Sequence, residues 1–361
     1  MKKLIINGMV LTQEQKVGVP RFVSELLRSL DHSTLPFQVE VVVPVHVEER
    51  YHSIRKVILP VHGKRSRATD ILWQALILPR YARRTNGVLV QPGLGYGLYG
   101  NDVLIIYDLQ PEHIPDNYTG RSSLYRKGKQ KLRTHAIHSA RKIITISNYV
   151  KADLMQTYHL PPDSITVVPC GWQHFERIQP DEKVYSRYPV LWENRGQYYF
   201  SLGSRYAHKN QRWVYAAANN SPEDLFVITG YNDVASYSGA IVQEAPDNVL
   251  FTGFLPDGQV KTLMRDCKAF IHPSLSEGFG IPPMEALSVG APIIVSNSTS
   301  LPEIYGKTAH YIDPLNYTDI DLDQLLLEEV EPPEALLKKY SWDRAAEIFE
   351  QEVSPLLQVS S

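Results

Sequence analysis

Cysteine is scarce in this sequence. Only Cys170 and Cys267 occur in 361 residues, and they do not make a Cys-x-x-Cys spacing. That argues against a disulfide framework and a cysteine-built zinc site, and it fits a chain made for a reducing compartment. No run of eighteen apolar residues occurs, so no membrane-spanning helix is expected. The opening stretch, MKKLIINGMVLTQEQK, breaks its apolar run at Asn7 and Gly8 and offers no small-residue cleavage site. It reads as a first strand and not as a signal peptide. There is no low-complexity tract, and no short fixed period that would indicate a solenoid.

Hydrophobic residues make up 43% of the chain and charged residues 21%, a globular balance, and the length suits two domains. The net charge of −2 conceals an asymmetry. Residues 1–180 carry 24 Lys and Arg against 14 Asp and Glu, while residues 181–361 carry 13 against 25. Opposite charge in two halves suggests two domains with different partners, and the basic half suits phosphates or an anionic membrane surface.

Short apolar runs alternate with amphipathic stretches. KKLIIN, VEVVV, KVIL, GVLV, DVLIIY, RKIITI and ITVV read as strands, and PRFVSELLRSL, ATDILWQALILPRYARR, SSLYRKGKQKLRTHAIHSA and NYVKADLMQTY as helices. Such alternation predicts an α/β fold with a parallel sheet covered on both faces. The polar, aromatic stretch around 179–197 reads as a linker. The pattern then restarts through YYFSLGS, DLFVITG, NVLFTG, KAFIHPS, PIIVS and AHYIDP, with a helix near 233–244 among those between. The expected organisation is a first Rossmann-like domain over 1–178, a linker over 179–197 and a second Rossmann-like domain over 198–340. A final helix, about 341–361, is expected to pack back on the first domain. A cleft between the carboxyl ends of the two sheets is where ligands of such sheets bind.

The chemistry concentrates in SEGFGIPPMEAL, Ser276 to Leu287. It follows the buried run KAFIHPS, turns on Gly-Phe-Gly and enters a helix at Pro282-Pro283. Glycines allow close backbone approach to a ligand, and a helix start offers unpaired N–H groups and partial positive charge, together an anion site suited to phosphate. The prolines delete donors, which leaves the N–H groups of Gly280, Ile281, Met284 and Glu285, or a nearby cation. Glu285 is either an acid that complements the helix dipole or a carboxylate that accepts from a ribose diol. Glu277 is either a solvated loop acid or a contact to a sugar hydroxyl. The chemistry of the motif alone leaves both pairs of readings open.

The longer block HPSLSEGFGIPPMEALSVGAPIIVSNSTSLPEIYGKTAHYIDP resembles the signature of family 4 glycosyltransferases, the large retaining group of GT-B fold. Glu277 and Glu285 match its two glutamates with seven residues between them. YYFSLGSRYAHKNQRWV, VLFTGFLPDGQVKTLMRDCKAF, IITISNYVKADLMQTY and ITVVPCG match further blocks in order. The resemblance covers most of residues 140–350 and is looser over 1–139, where acceptors bind in this family. It implies a nucleotide-sugar donor held mainly by the second domain. By position, Glu285 binds the ribose and Glu277 the donor sugar. The backbone around Gly278, Phe279, Gly280 and Ile281 meets sugar and diphosphate. Lys209 and Arg205 bind the diphosphate, with Gly203 beside them. Arg205, Lys209 and Glu277 are thus the catalytic candidates. Cations that stabilise the charge developing on a departing nucleoside diphosphate lower the barrier.

Two departures from the family pattern fall in the first half. After DVLIIY the family carries His-Asp, and this chain has Tyr107-Asp108. The resemblance keeps Asp108 by position and sets Tyr107 in the place of a histidine that commonly contacts the donor sugar near its 6-position. His113, in QPEHIP, is an alternative imidazole, though a lone loop histidine is usually solvated. In KVGVPRF the family's richer glycine turn is reduced to Gly18. A formal Asp-x-Asp at Asp321 and Asp323 precedes leucines and reads as a helix cap. The family needs no metal, so no metal and no cofactor are expected.

The stretch 121–142 holds eight Lys or Arg and no acid. It reads either as a solvated helix face or as a patch on anionic lipid beside a lipid-linked acceptor. It lacks a recognisable nucleic-acid motif, and nucleic acid is not expected as a partner. The resemblance thus implies a retaining glycosyltransferase. It would pass a hexosyl unit from a nucleotide diphosphate sugar to a glycan or lipid-linked glycan in cell-surface polysaccharide assembly. Its expected place is the cytoplasm, possible peripheral contact with the inner membrane face included. The alternatives are a non-catalytic GT-B subunit that binds glycan or a partner enzyme, and a GT-B epimerase or phosphorylase.

Overall fold

Short apolar runs form most of the strands, and burial of the central ones on both faces explains why they do not alternate with polar residues, while the edge strand Arg55–Ile58 is polar and partly exposed. The computed structural model describes residues 2–13, 17–61, 64–93, 102–110, 123–204, 206–230 and 245–358, with backbone alone at 123–127 and 129. The chain divides into two compact units. One gathers the described residues through Gly171 together with those from Ser341 onward, and the other runs from Trp172 to Tyr340.

The first unit is built on β1 (Lys3–Asn7), β2 (Val39–Val43), β3 (Arg55–Ile58), β4 (Gly87–Pro92), β5 (Val103–Ile106), β6 (Lys142–Thr145) and β7 (Ile165–Val167), all parallel in the order β3-β2-β1-β4-β5-β6-β7. Within β2 the buried acid Glu40 is balanced by Lys3 Nζ at 2.9 Å and the Tyr81 hydroxyl at 2.7 Å, since a charge taken out of water needs partners. The helix Val19–His32 turns Phe22, Val23, Leu26, Leu27 and Leu30 into the core at helical spacing. The helix Trp342–Leu357 packs against it. Trp342 meets Phe22 edge to face at 5.7 Å, and Ser29 Oγ lies 2.8 Å from Asp343 Oδ1.

The second unit is built on β8 (Tyr199–Leu202), β9 (Phe226–Thr229), β10 (Val249–Gly253), β11 (Ala269–His272), β12 (Ile293–Ser296) and β13 (His310–Ile312). These are again all parallel, in the order β10-β9-β8-β11-β12-β13. Both sheets carry the Rossmann order, in which the connections after the first and fourth strands leave toward opposite faces. The crevice opened at their carboxyl ends is the usual ligand position of such a sheet. In the second unit that switch point lies between β8 and β11.

Two expectations are corrected. The boundary falls between Gly171 and Trp172, not after 178. The stretch 179–197 is not a linker: it carries the helices Lys183–Arg187 and Pro189–Glu193, which bury Val184, Tyr185 and Leu191 in the second unit. Its polar and aromatic composition serves packing. The Tyr185 hydroxyl donates to Asp266, Arg195 pairs with the same carboxylate at 3.1 Å, and its guanidinium lies over the Trp192 ring at 4.8 Å. The helix expected near 233–244 lies outside the described residues. Among the described residues no helix is long and apolar enough to cross a membrane.

Candidate active site

At the β8–β11 switch point two loops are tied together. The loop after β8 carries Gly203 and the turn Ala207–Lys209, and the loop after β11 runs from Pro273 to Gly280. Leu275 N–H donates to the His208 carbonyl at 2.7 Å. Asn210, left-handed at φ 55°, donates through Nδ2 to the carbonyls of Pro273 at 3.0 Å and Pro314 at 2.8 Å. Asparagine suits that position because it tolerates positive φ. Gly203 donates to the Thr229 carbonyl at 2.6 Å, and its own carbonyl runs so close to Gly230 that a Cβ there would lie 2.8 Å from it.

These ties bring Lys209 to Glu277. Lys209 Nζ lies 2.6 Å from Glu277 Oε1, and His272 Nε2 lies 2.7 Å from the same oxygen. Burial pushes the Glu277 carboxyl up, but the Lys209 ammonium, helped by His272, outweighs it and holds the group well below the usual carboxylate range. Glu277 is therefore an ionised hydrogen-bond acceptor and a poor base. Its backbone is gripped as well. Its N–H donates to Thr299 Oγ1 at 3.0 Å, and Ser300 Oγ donates to its carbonyl at 3.0 Å. Thr299 makes that contact from φ 53°, a conformation costly for a β-branched residue. His208, buried behind Lys209, is held down to about 4, by burial first and then by the neighbouring lysine.

The chain then enters the helix Ile281–Ser288 through Gly280 at φ 82°. A Cβ on Gly280 would lie 2.6 Å from Leu301 Cδ2, and the Tyr305 hydroxyl donates to the Gly280 carbonyl. Phe279 is buried, with its ring edge to face with Tyr340 at 5.3 Å. The Gly278-Phe279-Gly280 turn therefore has only backbone to offer a ligand. Glu285 on this helix is nearly buried, and its Oε1 lies 2.6 Å from His174 Nε2. In both glutamates one carboxylate oxygen is occupied from within the unit, while Oε2 takes no partner among the described residues.

Of the residues singled out from sequence, Gly203, Lys209, Glu277, Gly278, Phe279, Gly280, Ile281 and Glu285 come together in the second unit. Arg205 and His113 lie outside the described residues. Gly18, Tyr107 and Asp108 belong to the first unit. Gly18 caps the helix Val19–His32 at φ 59°. Asp108 accepts from the Gln110 N–H at 3.1 Å. Tyr107 packs edge to face on Phe22 at 5.3 Å, and its hydroxyl is buried with no hydrogen-bond partner among the described residues. Burial, with the Cys170 thiol nearby, pushes that phenol well up. Asp321 caps the helix Leu322–Leu326 by accepting from Gln324 N–H at 2.9 Å, and Asp323 pairs with Lys268 at 2.6 Å. Across 128–142 Lys131, His135, His138 and Arg141 are exposed, while Ala136 and Ile137 enter the core.

Sequence reasoning missed His174, His208, His272 and Thr299. His272 stands inside the KAFIHPS run and could have been suspected from its place at the strand end. His174 carries no such signal, being 111 residues from the acid it meets.

Residues 17–173 match the family described as Glycosyltransferase Family 4, and residues 188–329 match Glycosyl transferases group 1. O-antigen chain mannosyltransferase B of Escherichia coli is 27% identical over 201 residues, 52% of this chain and 50% of that protein. O-antigen chain mannosyltransferase RfbU of Salmonella typhimurium is 27% identical over 225 residues, 60% of this chain and 58% of that protein. The chain thus spans 50% and 58% of the length of these relatives. In fold it is similar to HepE of Anabaena, with a TM-score of 0.68 at 15% identity over 98% of this chain and all of that one.

Proposed function

The chain belongs to the family 4 glycosyltransferases, and we propose that it passes a hexosyl unit, with retention, from a nucleoside diphosphate sugar to a hydroxyl of a glycan or lipid-linked glycan. The setting is cell-surface polysaccharide assembly. The observation that carries this reading is the convergence of Lys209, Glu277 and Glu285 at the β8–β11 switch point, each glutamate with one oxygen occupied and one open. Glu285 accepts from the ribose diol and Glu277 from sugar hydroxyls. Lys209, which has three donors and spends one on Glu277, directs the others to the diphosphate. In the transfer the bond from sugar C1 to phosphate oxygen breaks and its electron pair leaves with the nucleoside diphosphate. The acceptor oxygen bonds to C1 on the same face, and its proton passes to the departing phosphate. No side chain acts as a nucleophile, in keeping with an ionised Glu277 already paired to Lys209. Arg205 is assigned to the same diphosphate and Asp108 to the acceptor or sugar side, while the Tyr107 hydroxyl, buried beside Phe22, is left out of the transfer. No metal takes part, so turnover persists in EDTA.

The names of the relatives put mannosyl donors first in the test panel. Purified protein is incubated with GDP-, UDP- and dTDP-sugars, with and without membrane extract, and nucleotide release and product are followed. Acceptor-dependent release is expected. Silence with every donor and no nucleotide binding would favour a glycan-binding subunit. Glu285→Ala is expected to weaken nucleotide binding about tenfold or more, the loss of a charged hydrogen bond being about 1.5–3 kcal/mol; unchanged affinity removes Glu285 from the site. The exposed cations at Lys131 and Arg141 support peripheral contact with anionic lipid, tested by flotation on vesicles with and without phosphatidylglycerol.

A further inference from the structure

His174 stands outside the glutamate motif, yet its imidazole is buried, with a side chain 1% exposed, and ends on Glu285 Oε1. The segment that carries it is pinned on both sides. Trp172 Nε1 donates to the Leu337 carbonyl at 2.9 Å, Gln173 Nε2 to the Tyr340 carbonyl at 3.3 Å, and Lys261 Nζ to the Phe175 carbonyl at 2.7 Å. A glutamate side chain has three torsions, and a ligand that must order them loses affinity. A partner that holds one oxygen in advance removes that cost. We propose that His174 is a positioning residue, holding Glu285 Oε1 so that Oε2 is presented to the ribose of the donor. This rests on the reading of Glu285 as the ribose acceptor.

The test crosses a protein change with a ligand change, in the full chain. Affinities for UDP, GDP and ADP and for their 2′-deoxy counterparts are measured by calorimetry on wild type, Glu285→Gln, His174→Leu and His174→Gln. In wild type, loss of the 2′-hydroxyl is expected to weaken the best-bound nucleotide about tenfold, equivalent to about 1.4 kcal/mol. His174→Leu is expected to bind the ribonucleotide about tenfold more weakly and to discriminate against the deoxy form by less than about twofold. His174→Gln, whose amide reaches the same oxygen, restores the discrimination. Should His174→Leu not fold, His174→Asn, too short to reach Glu285, takes its place and must show the same loss. A leucine or asparagine variant that keeps the full tenfold discrimination overturns the proposal, because a merely structural role would lower affinity for both ligands alike. If wild type and Glu285→Gln discriminate equally, the ribose reading of Glu285 fails, and the positioning role falls with it.

Discussion

Tyr107 shows how a residue can hold a suggestive position and still face inward. Its ring lies against Phe22 and its hydroxyl is buried without a partner among the described residues. An unsatisfied buried hydroxyl is costly. Tyr107→Phe is therefore expected to raise the free energy of unfolding by up to about 1 kcal/mol and to leave transfer unchanged. Urea unfolding and initial rates check this, and a large loss of rate would return the hydroxyl to the site. His208 makes the opposite point, since sequence reasoning passed it over. Its folded value, about 4, lies below the ordinary histidine range. The folded state prefers the neutral ring, so its contribution is fully present above about pH 6.5 and is lost as pH falls toward and through 4. The fall in urea midpoint between pH 7.5 and 4.5 is expected to be smaller in His208→Gln than in wild type. An equal fall would show that His208 is not a source of it.

Most strands and helices were legible because each is written in local periodicity, the short helices of 179–197 excepted. The loops between them hold the candidate site, and there the physics is less local. Thr299 is an example. Nothing in SNSTSLPE announces a left-handed threonine, because the strain is sustained by a contact 22 residues away, the Glu277 N–H on Thr299 Oγ1. Thr299→Gly relieves the backbone and deletes the acceptor. The expected outcome is a stability gain of about 1 kcal/mol from the released conformation, less what the lost hydrogen bond takes back. With it should come a several-fold loss of kcat/KM as Glu277 loosens. Melting temperature and donor kinetics, measured together, test this. A variant both less stable and fully active would refute it.

At the scale of the whole molecule the chain leaves the first unit at Gly171 and returns to it at Ser341. The returning helix closes a core face with Trp342, Ala345, Ala346, Phe349 and Val353. Trp342 is 2% exposed. Trp342→Ala should therefore destabilise the first unit by about 3–5 kcal/mol. Because the residues proposed to bind the donor belong to the other unit, nucleotide affinity is expected to stay within about twofold, a change worth well under 1 kcal/mol. Urea unfolding followed beside nucleotide titration separates the two effects, and a parallel loss of affinity would contradict the independence of the units.

The order of apolar runs was enough to determine two parallel α/β units. The resemblance carried by the stretch from His272 to Pro314 pointed to the loop after β11 as the candidate site, and the strand, glycine turn and helix entry read there are legible because they are properties of neighbouring residues. Only the tertiary structure decided which oxygens of those acids are occupied, that the Tyr107 hydroxyl is buried, and that 179–197 is packed helix. Those outcomes depend on contacts such as that of His174 with Glu285, 111 residues apart. Pairings at that distance are set by how the strands are ordered within the sheet, which local periodicity does not encode.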